Sequence, residues 1–174
     1  LFADRQGGGD LYLTFDDFPK PNSSQLLDEL AREDVPATFF CIGSRVAQDG
    51  VLLRRALKEG HSLQIHSWDH ERDRPRLGDC VAALKGIGAT PGLYRPPGRE
   101  QVLKLDGSPL GLPDVDPYDF QRPGSIEIVR RVVGALRPGA VIQLHAGVDQ
   151  TLAALPAIID HARKLGYVFK VLGH

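Results

Sequence analysis

The sequence predicts an α/β fold: a distorted, shortened parallel (β/α) barrel of about seven strands. Short β-prone runs alternate with amphipathic helical runs along the chain, the pattern of a parallel sheet. About seven such runs can be read, enough to curl into a small barrel. The length of 174 residues falls short of the ~250 that an eight-fold barrel typically takes, so only a reduced version fits. An open doubly wound sheet is the competing architecture.

The elements follow in order. Residues 1–9 contain Gly7-Gly8-Gly9 and read as a flexible lead, with residues 10–174 as a single domain. No Lys-Ser or Lys-Thr follows those glycines, so they do not form a phosphate loop. Leu11–Phe15 is a strand that stops at two aspartates. Asn22 or Ser23 is placed to cap a helix over Gln25–Arg32, where Leu26, Leu27 and Leu30 have helical spacing. Ala37–Ile42 is an aromatic-rich strand, and Val46–Glu59 reads as one helix ended by Gly60. Ser62–His66 is a third strand, Leu77–Ile87 a short helix, and Leu93–Arg95 a brief strand before Pro96-Pro97. From Gln101 to Pro117 the pattern is weak, with one strand expected near Leu110–Val115. Ile126–Leu136 is a helix with Ser125 as its cap, and Ala140–Leu144 is a buried strand. Leu152–Leu165 is a helix ended by Gly166, and Tyr167–Leu172 is the last strand.

Composition narrows the function. Apolar residues make up 42% and charged residues 25%, ordinary for a globular protein. A net charge of -1 gives no reason to expect nucleic acid or an anionic membrane as partner. No apolar run approaches the ~20 residues that span a bilayer. Leu1 to Asp10 lack the basic and apolar regions of a secretory signal, although a chain starting after a removed signal would look the same. Two cysteines are too few for a disulfide scaffold, and Cys41 in Thr38-Phe39-Phe40-Cys41-Ile42 reads as a buried free thiol.

The chemistry-bearing residues cluster where apolar strands stop. Asp16-Asp17 follows the first strand, His66 and His70 the third, Arg95 the fourth and His145 the sixth. Ligand sites of parallel α/β folds lie at the carboxyl ends of strands, so these segments point to one place. Histidines four apart share a face of a helical turn and can bind one metal ion. A carboxylate must complete the set, and Asp16 or Asp17 can donate it. Two histidines, one carboxylate and an open position suit catalytic zinc and also non-haem iron. A solvated histidine pair and a helix-capping aspartate are the bland readings. Neighbouring strand residues point to opposite sides, so both aspartates enter one site only if a turn brings them together. In Arg95-Pro96-Pro97-Gly98 the first backbone donor after Arg95 is Gly98, which can serve as half of an oxyanion hole; an ordinary Pro-Gly turn is the alternative. His145 can act as a general acid or sit in the core bonded to backbone.

Together these segments resemble the polysaccharide deacetylases of carbohydrate esterase family 4, which act on chitin, chitooligosaccharides, peptidoglycan and acetylxylan. Thr14-Phe15-Asp16-Asp17 resembles the first family motif, His66-Ser67-Trp68-Asp69-His70 the second and Arg95-Pro96-Pro97 the third. Asp116-Pro117-Tyr118-Asp119 resembles part of the fourth, and Leu144-His145 ends the fifth. The resemblance implies a distorted barrel and a divalent metal, zinc first, with Co2+, Ni2+ or Fe2+ compatible. It implies that Asp17, His66 and His70 bind the metal. Asp16 would be the general base toward water, held by Arg95, and His145 the general acid, oriented by Asp119. The substrate would be an acetylated sugar, and the site of action extracytoplasmic.

Some positions depart from that pattern. Phe18 stands where Gly is usual, and Ile65 replaces a polar residue. Gly98 and Arg99 replace an aromatic and a glycine, while Pro113 and Phe120 stand at or near tryptophan positions. These changes are expected to alter the groove and leave the metal and acid–base residues intact. A tailoring hydrolase acting on a small acylated metabolite is therefore the second reading. An inactive binding module and a two-His-one-carboxylate iron oxygenase are further alternatives. His61 and His174 read as surface or packing residues, Trp68 as packing on the barrel, and Glu71 to Arg76 as a solvated loop.

Overall fold

The computed structural model describes residues 8–98 and 101–173. The long strand β1 (Gly9–Phe18) lies inside the sheet. It is followed by α1 (Ser23–Glu33), β2 (Thr38–Cys41), the single turn α2 (Gly43–Val46), α3 (Gly50–Lys58), β3 (Ser62–Ile65) and α4 (Leu77–Gly86). Then come β4 (Leu93–Tyr94), β5 (Leu103–Lys104), β6 (Asp114–Val115) and a 3-10 turn (Asp119–Gln121). The chain closes with α5 (Ser125–Ala135), β7 (Val141–His145), α6 (Asp149–Lys164) and β8 (Tyr167–Phe169). The strand order is β5-β4-β3-β2-β1-β7-β6, with β8 paired to the start of β1, in a curled half-barrel.

Strand alternation builds two apolar layers. Leu11, Leu13 and Phe15 of β1, Phe39 and Cys41 of β2, and Ile142 and Leu144 of β7 face the helices, in the main core with Leu27, Leu30, Leu53, Leu155 and Ile158. The alternate residues face inward. There Phe40, Leu93, Val102, Val141 and Leu172 form a smaller cluster. Above it, toward the carboxyl ends of the strands, the inward positions turn polar: Thr14, Asp16, Gln143 and His145. The helices thus carry the bulk of the hydrophobic burial, and the barrel mouth is left for chemistry.

The α/β barrel expectation is met, with specific differences. All strand pairs are parallel except β4 with β5, which is antiparallel and was not anticipated from the sequence. The expected lead over residues 1–9 ends sooner, because Gly9 already pairs with Tyr167; residues 1–7 lie outside the described residues. The single helix expected over Val46–Glu59 is two, α2 and α3, with Ala47 to Asp49 between them. Asn22 holds the N-cap position of α1 as expected, its carbonyl accepting from Leu26 N–H, but neither capping side chain does the work expected of it. The Asn22 side chain makes no cap bond and instead accepts from Gly147 N–H at 2.7 Å, while Ser23 Oγ accepts from Lys20 N–H. Ser125 is the first helical residue rather than the cap, which is Gly124 (φ 100°). The last strand is shorter than expected, stopping at Phe169.

Cys41 and Cys80 are both free and buried, and burial pushes both thiols up, Cys80 to about 11, which leaves them unreactive. His61 is a packing residue, its Nδ1 accepting from Ala37 N–H at 3.0 Å, and burial lowers it to about 4. His174 lies outside the described residues. Among the described residues no helix is long and apolar enough to cross a membrane.

One glycine is required by close approach. A Cβ at Gly43 would lie 2.6 Å from the Trp68 ring and 2.9 Å from Cys80 Sγ. Gly43 and Ser44 N–H also bond to the carbonyls of Ser67 and Trp68, so α2 secures the loop after His66. Gly43→Ala is expected to cost ~1–3 kcal/mol by overpacking, read as a lowered thermal midpoint; an unchanged midpoint would show that Trp68 can move aside.

Candidate active site

A β-bulge brings the two aspartates into one place. Thr14 and Phe15 pair with Thr38 and Phe39, but Phe18 pairs with Cys41, so β1 holds one residue more than β2 over this stretch. Asp17 sits at that insertion with φ 62°. The bulge restores the apolar register, so Phe18 returns to the core against Phe39, with ring centroids 4.2 Å apart. Asp16 and Asp17 both line the same cavity. Arg45 of α2 secures the bulge, its Nη1 donating to the carbonyls of Asp17 (3.2 Å) and Pro19 (3.3 Å).

Asp17 Oδ1 lies 3.3 Å from His66 Nε2 and 3.0 Å from His70 Nε2. The candidate ligand atoms of the three residues all lie within 4.8 Å of one another. His66 and His70 do not share a helical turn, as the spacing suggested. They lie on a loop in which Ser67 (φ 71°) and His70 (φ 64°) take left-handed conformations and fold the chain back.

The donor chemistry fits a cation. His66 Nδ1 is 2.8 Å from the Arg95 carbonyl, which can only accept, so Nδ1 carries the proton. In the neutral ring Nε2 is then a bare lone pair facing a carboxylate oxygen. Asp17 Oδ1 is buried and faces only the two imidazole Nε2 atoms, with no other donor in reach among the described residues. Burial raises the Asp17 carboxyl, but hydrogen bonding and charge from His66, with charge from His145 and His70, hold it at about 2. Burial pushes His70 below its ordinary value, toward the neutral form that ligates metals. The site thus calls for positive charge between the rings and the carboxylate, which a divalent cation could supply.

Asp16 is buried beside this set and held from two sides. Arg95 Nη1 donates to Oδ1 at 2.8 Å, and Gln143 Nε2 donates to Oδ2 at 3.0 Å. Arg95 is itself fully buried, stacked 4.5 Å over the Phe40 ring and bonded to Thr14 Oγ1 at 2.9 Å. His145 Nε2 lies 3.9 Å from Asp16 Oδ2.

His145 is fixed by Asp119. Asp116 Oδ1 accepts from Tyr118 N–H at 2.7 Å, which steadies Tyr118 in the left-handed region (φ 55°) and starts the 3-10 turn carrying Asp119. Asp119 Oδ1 is 2.7 Å from His145 Nδ1, while Oδ2 accepts from His145 N–H (2.8 Å) and Thr151 Oγ1 (2.6 Å). Burial lowers His145, but hydrogen bonding and charge from Asp119, with smaller help from Asp16 and Asp17, carry it to about 9.

Asp16, Asp17, His66, His70, Gln143 and His145 line a cavity of 330 Å³ together with Gly98, Asp116, Tyr118 and Phe120. Gly98 is at its wall with φ 69°, its carbonyl accepting from Arg72 Nη2 at 3.4 Å. Arg72 thus ties part of the charged loop to the site, while Arg76 stacks 4.6 Å over Trp68. Phe120 and Tyr118 are exposed and meet edge to face at 6.1 Å, and Phe120 meets His145 at 5.4 Å. An aromatic wall is therefore present. Of the positions that depart from the family pattern, Gly98 and Phe120 line the cavity, whereas Phe18 and Ile65 are core residues and Pro113 is not among the lining residues. Arg99 lies outside the described residues. Gln143, Thr14 and Thr151 were missed in the sequence; Gln143 carried a signal, as an amide two residues before His145 in an apolar strand.

The polysaccharide deacetylase family model matches residues 3–102. The chain belongs to the polysaccharide deacetylase family. This deacetylase is 35% identical to a chitooligosaccharide deacetylase from Bradyrhizobium sp., over 96% of its own chain and 93% of the relative. It is 35% identical to a peptidoglycan-N-acetylglucosamine deacetylase from Bacillus cereus, over 90% of its chain and 83% of the relative. Its fold matches a family 4 carbohydrate esterase from Streptomyces lividans in complex with acetate, with a TM-score of 0.84 and 30% identity, over 95% and 93% of the two chains. The deacetylase is a hydrolase of this family, which sets aside the binding-module and oxygenase readings.

Proposed function

We propose that this deacetylase removes acetyl groups from N-acetylated amino sugars, with Asp17, His66 and His70 holding a divalent cation, Asp16 as general base and His145 as general acid. One observation carries the reading: a three-ligand set, a buried carboxylate and a charged imidazole meet in one cavity. The relatives are named for chitooligosaccharide and for peptidoglycan N-acetylglucosamine, which share an N-acetylated glucosamine unit. The faces of Tyr118 and Phe120 suit the apolar side of such a ring.

When bound, a divalent cation (zinc first, with Co2+, Ni2+ or Fe2+ compatible) supplies Lewis-acid polarisation of the acetyl carbonyl and acidifies the attacking water. Asp16 lines the cavity, and its Oδ2, the oxygen nearer His145, would take the proton of the attacking water. Arg95 anchors the other oxygen. The Gly98 N–H shares the developing oxyanion charge, an interaction whose loss typically costs ~3 kcal/mol. An amide nitrogen leaves poorly as an anion, so His145 Nε2 protonates it. Asp119 keeps that imidazole charged and aimed.

The test is acetate release from chitooligosaccharides and from small acylated compounds. Release from the oligosaccharides is expected, lost with a chelator and restored by zinc. Release from the small compounds alone would move the substrate class to non-carbohydrate amides or esters. No release with any divalent metal would overturn the reading.

A further inference from the structure

Gln143 interrupts the apolar strand β7 at an inward-facing position, between Val141 and His145. It is 5% exposed. Its Nε2 donates to Asp16 Oδ2 at 3.0 Å, and its Oε1 is buried without a hydrogen-bond partner. Leaving an acceptor buried and unpaired is unfavourable, and an apolar residue of the same volume would avoid it. The fold alone therefore gives no reason for an amide here. The one bond it makes goes to the oxygen of Asp16 that faces His145, while Arg95 holds the other oxygen from within the barrel.

We infer that Gln143 is a positioning residue for deacetylation: its amide N–H occupies one lone pair of Asp16 Oδ2 and turns the other toward the cavity, where a proton must arrive. The inference rests on Asp16 being the base. A carboxylate held only by Arg95 can swing about the Cβ–Cγ bond. A second donor on the opposite oxygen stops that rotation. A neutral donor does so without placing a second cation beside the metal set and His145. Thr14 Oγ1 cannot substitute, since it donates to the Ile142 carbonyl at 2.8 Å and accepts from Arg95.

The test uses the zinc-loaded enzyme with Gln143→Met, close in volume and without a donor, and Gln143→Glu, of the same shape but opposing a second carboxylate to Asp16. Acetate release from chitooligosaccharide is measured beside the parent and Asp16→Asn, with zinc stoichiometry and near-ultraviolet circular dichroism confirming the folded state. Gln143→Met is expected to lower kcat at least tenfold with KM within twofold, and Gln143→Glu to lower kcat further. If Gln143→Met does not fold, the Glu variant carries the same comparison. A folded, zinc-loaded variant with kcat within twofold of the parent, or with its loss in KM alone, overturns the inference. If Asp16→Asn itself stays active, the assignment of the base fails instead, and the two failures are told apart.

Discussion

Asp16→Asn is expected to lower kcat by ~10²–10⁴-fold while zinc stoichiometry stays that of the parent. The amide keeps the size of the carboxylate, so the cavity does not collapse. Arg95 still finds an oxygen, and the Gln143 amide can turn its unpaired Oε1 toward the new NH₂ group. The candidate ligand atoms belong to Asp17, His66 and His70 and are untouched. What disappears is the capacity to accept a proton at the oxygen facing His145. Metal analysis and acetate release on the same preparation check this. Turnover near the parent level would remove Asp16 from its role, and lost zinc would mean that it helps to build the metal site.

Asp119→Asn is expected to lower kcat by ~10²-fold or more at mildly alkaline pH and to move the alkaline limb of the pH profile downward. His145 is held at about 9 against burial chiefly by Asp119. A bound divalent cation more than offsets the smaller part that Asp17 contributes and leaves the Asp119 part, so the limb lies above the ordinary 6.5 and below 9. Activity needing the imidazolium persists up to that pH and fades above it. The sign for stability follows from the same shift. The folded value lies above the ordinary 6.5, so the contribution is whole below 6.5 and is lost as pH climbs through about 9. It is on the order of 3 kcal/mol. In Asp119→Asn both the limb and the pH-dependent part of the thermal midpoint should shift, and a profile identical to the parent would refute the pairing.

Much of the site could be read in the sequence because its parts sit at strand ends. Asp16, Asp17, His66, His70, Arg95, Asp119 and His145 converge as their positions suggested. What was hidden depends on geometry without a local pattern. The bulge at Asp17 needs the partner strand before it can be seen, and for that reason Phe18 looked like a groove residue when it is core. The loop from His66 to His70 mimics helical spacing through two left-handed residues. Strand β5 is two residues long, too short for any periodicity, and is held by pairing with β4. The break at Ala47 to Asp49 shows no proline or glycine before Gly50, so the apolar spacing runs through it unmarked.

The inserted residue in β1 has a consequence for how the molecule tolerates movement. The carboxylate proposed to grip the ion and the one proposed to handle the proton belong to neighbouring residues, so one peptide unit limits their separation. Breathing of the surrounding loops, as a bulky glycan enters or leaves, would carry the pair as one rigid body, and the working distance between them would survive.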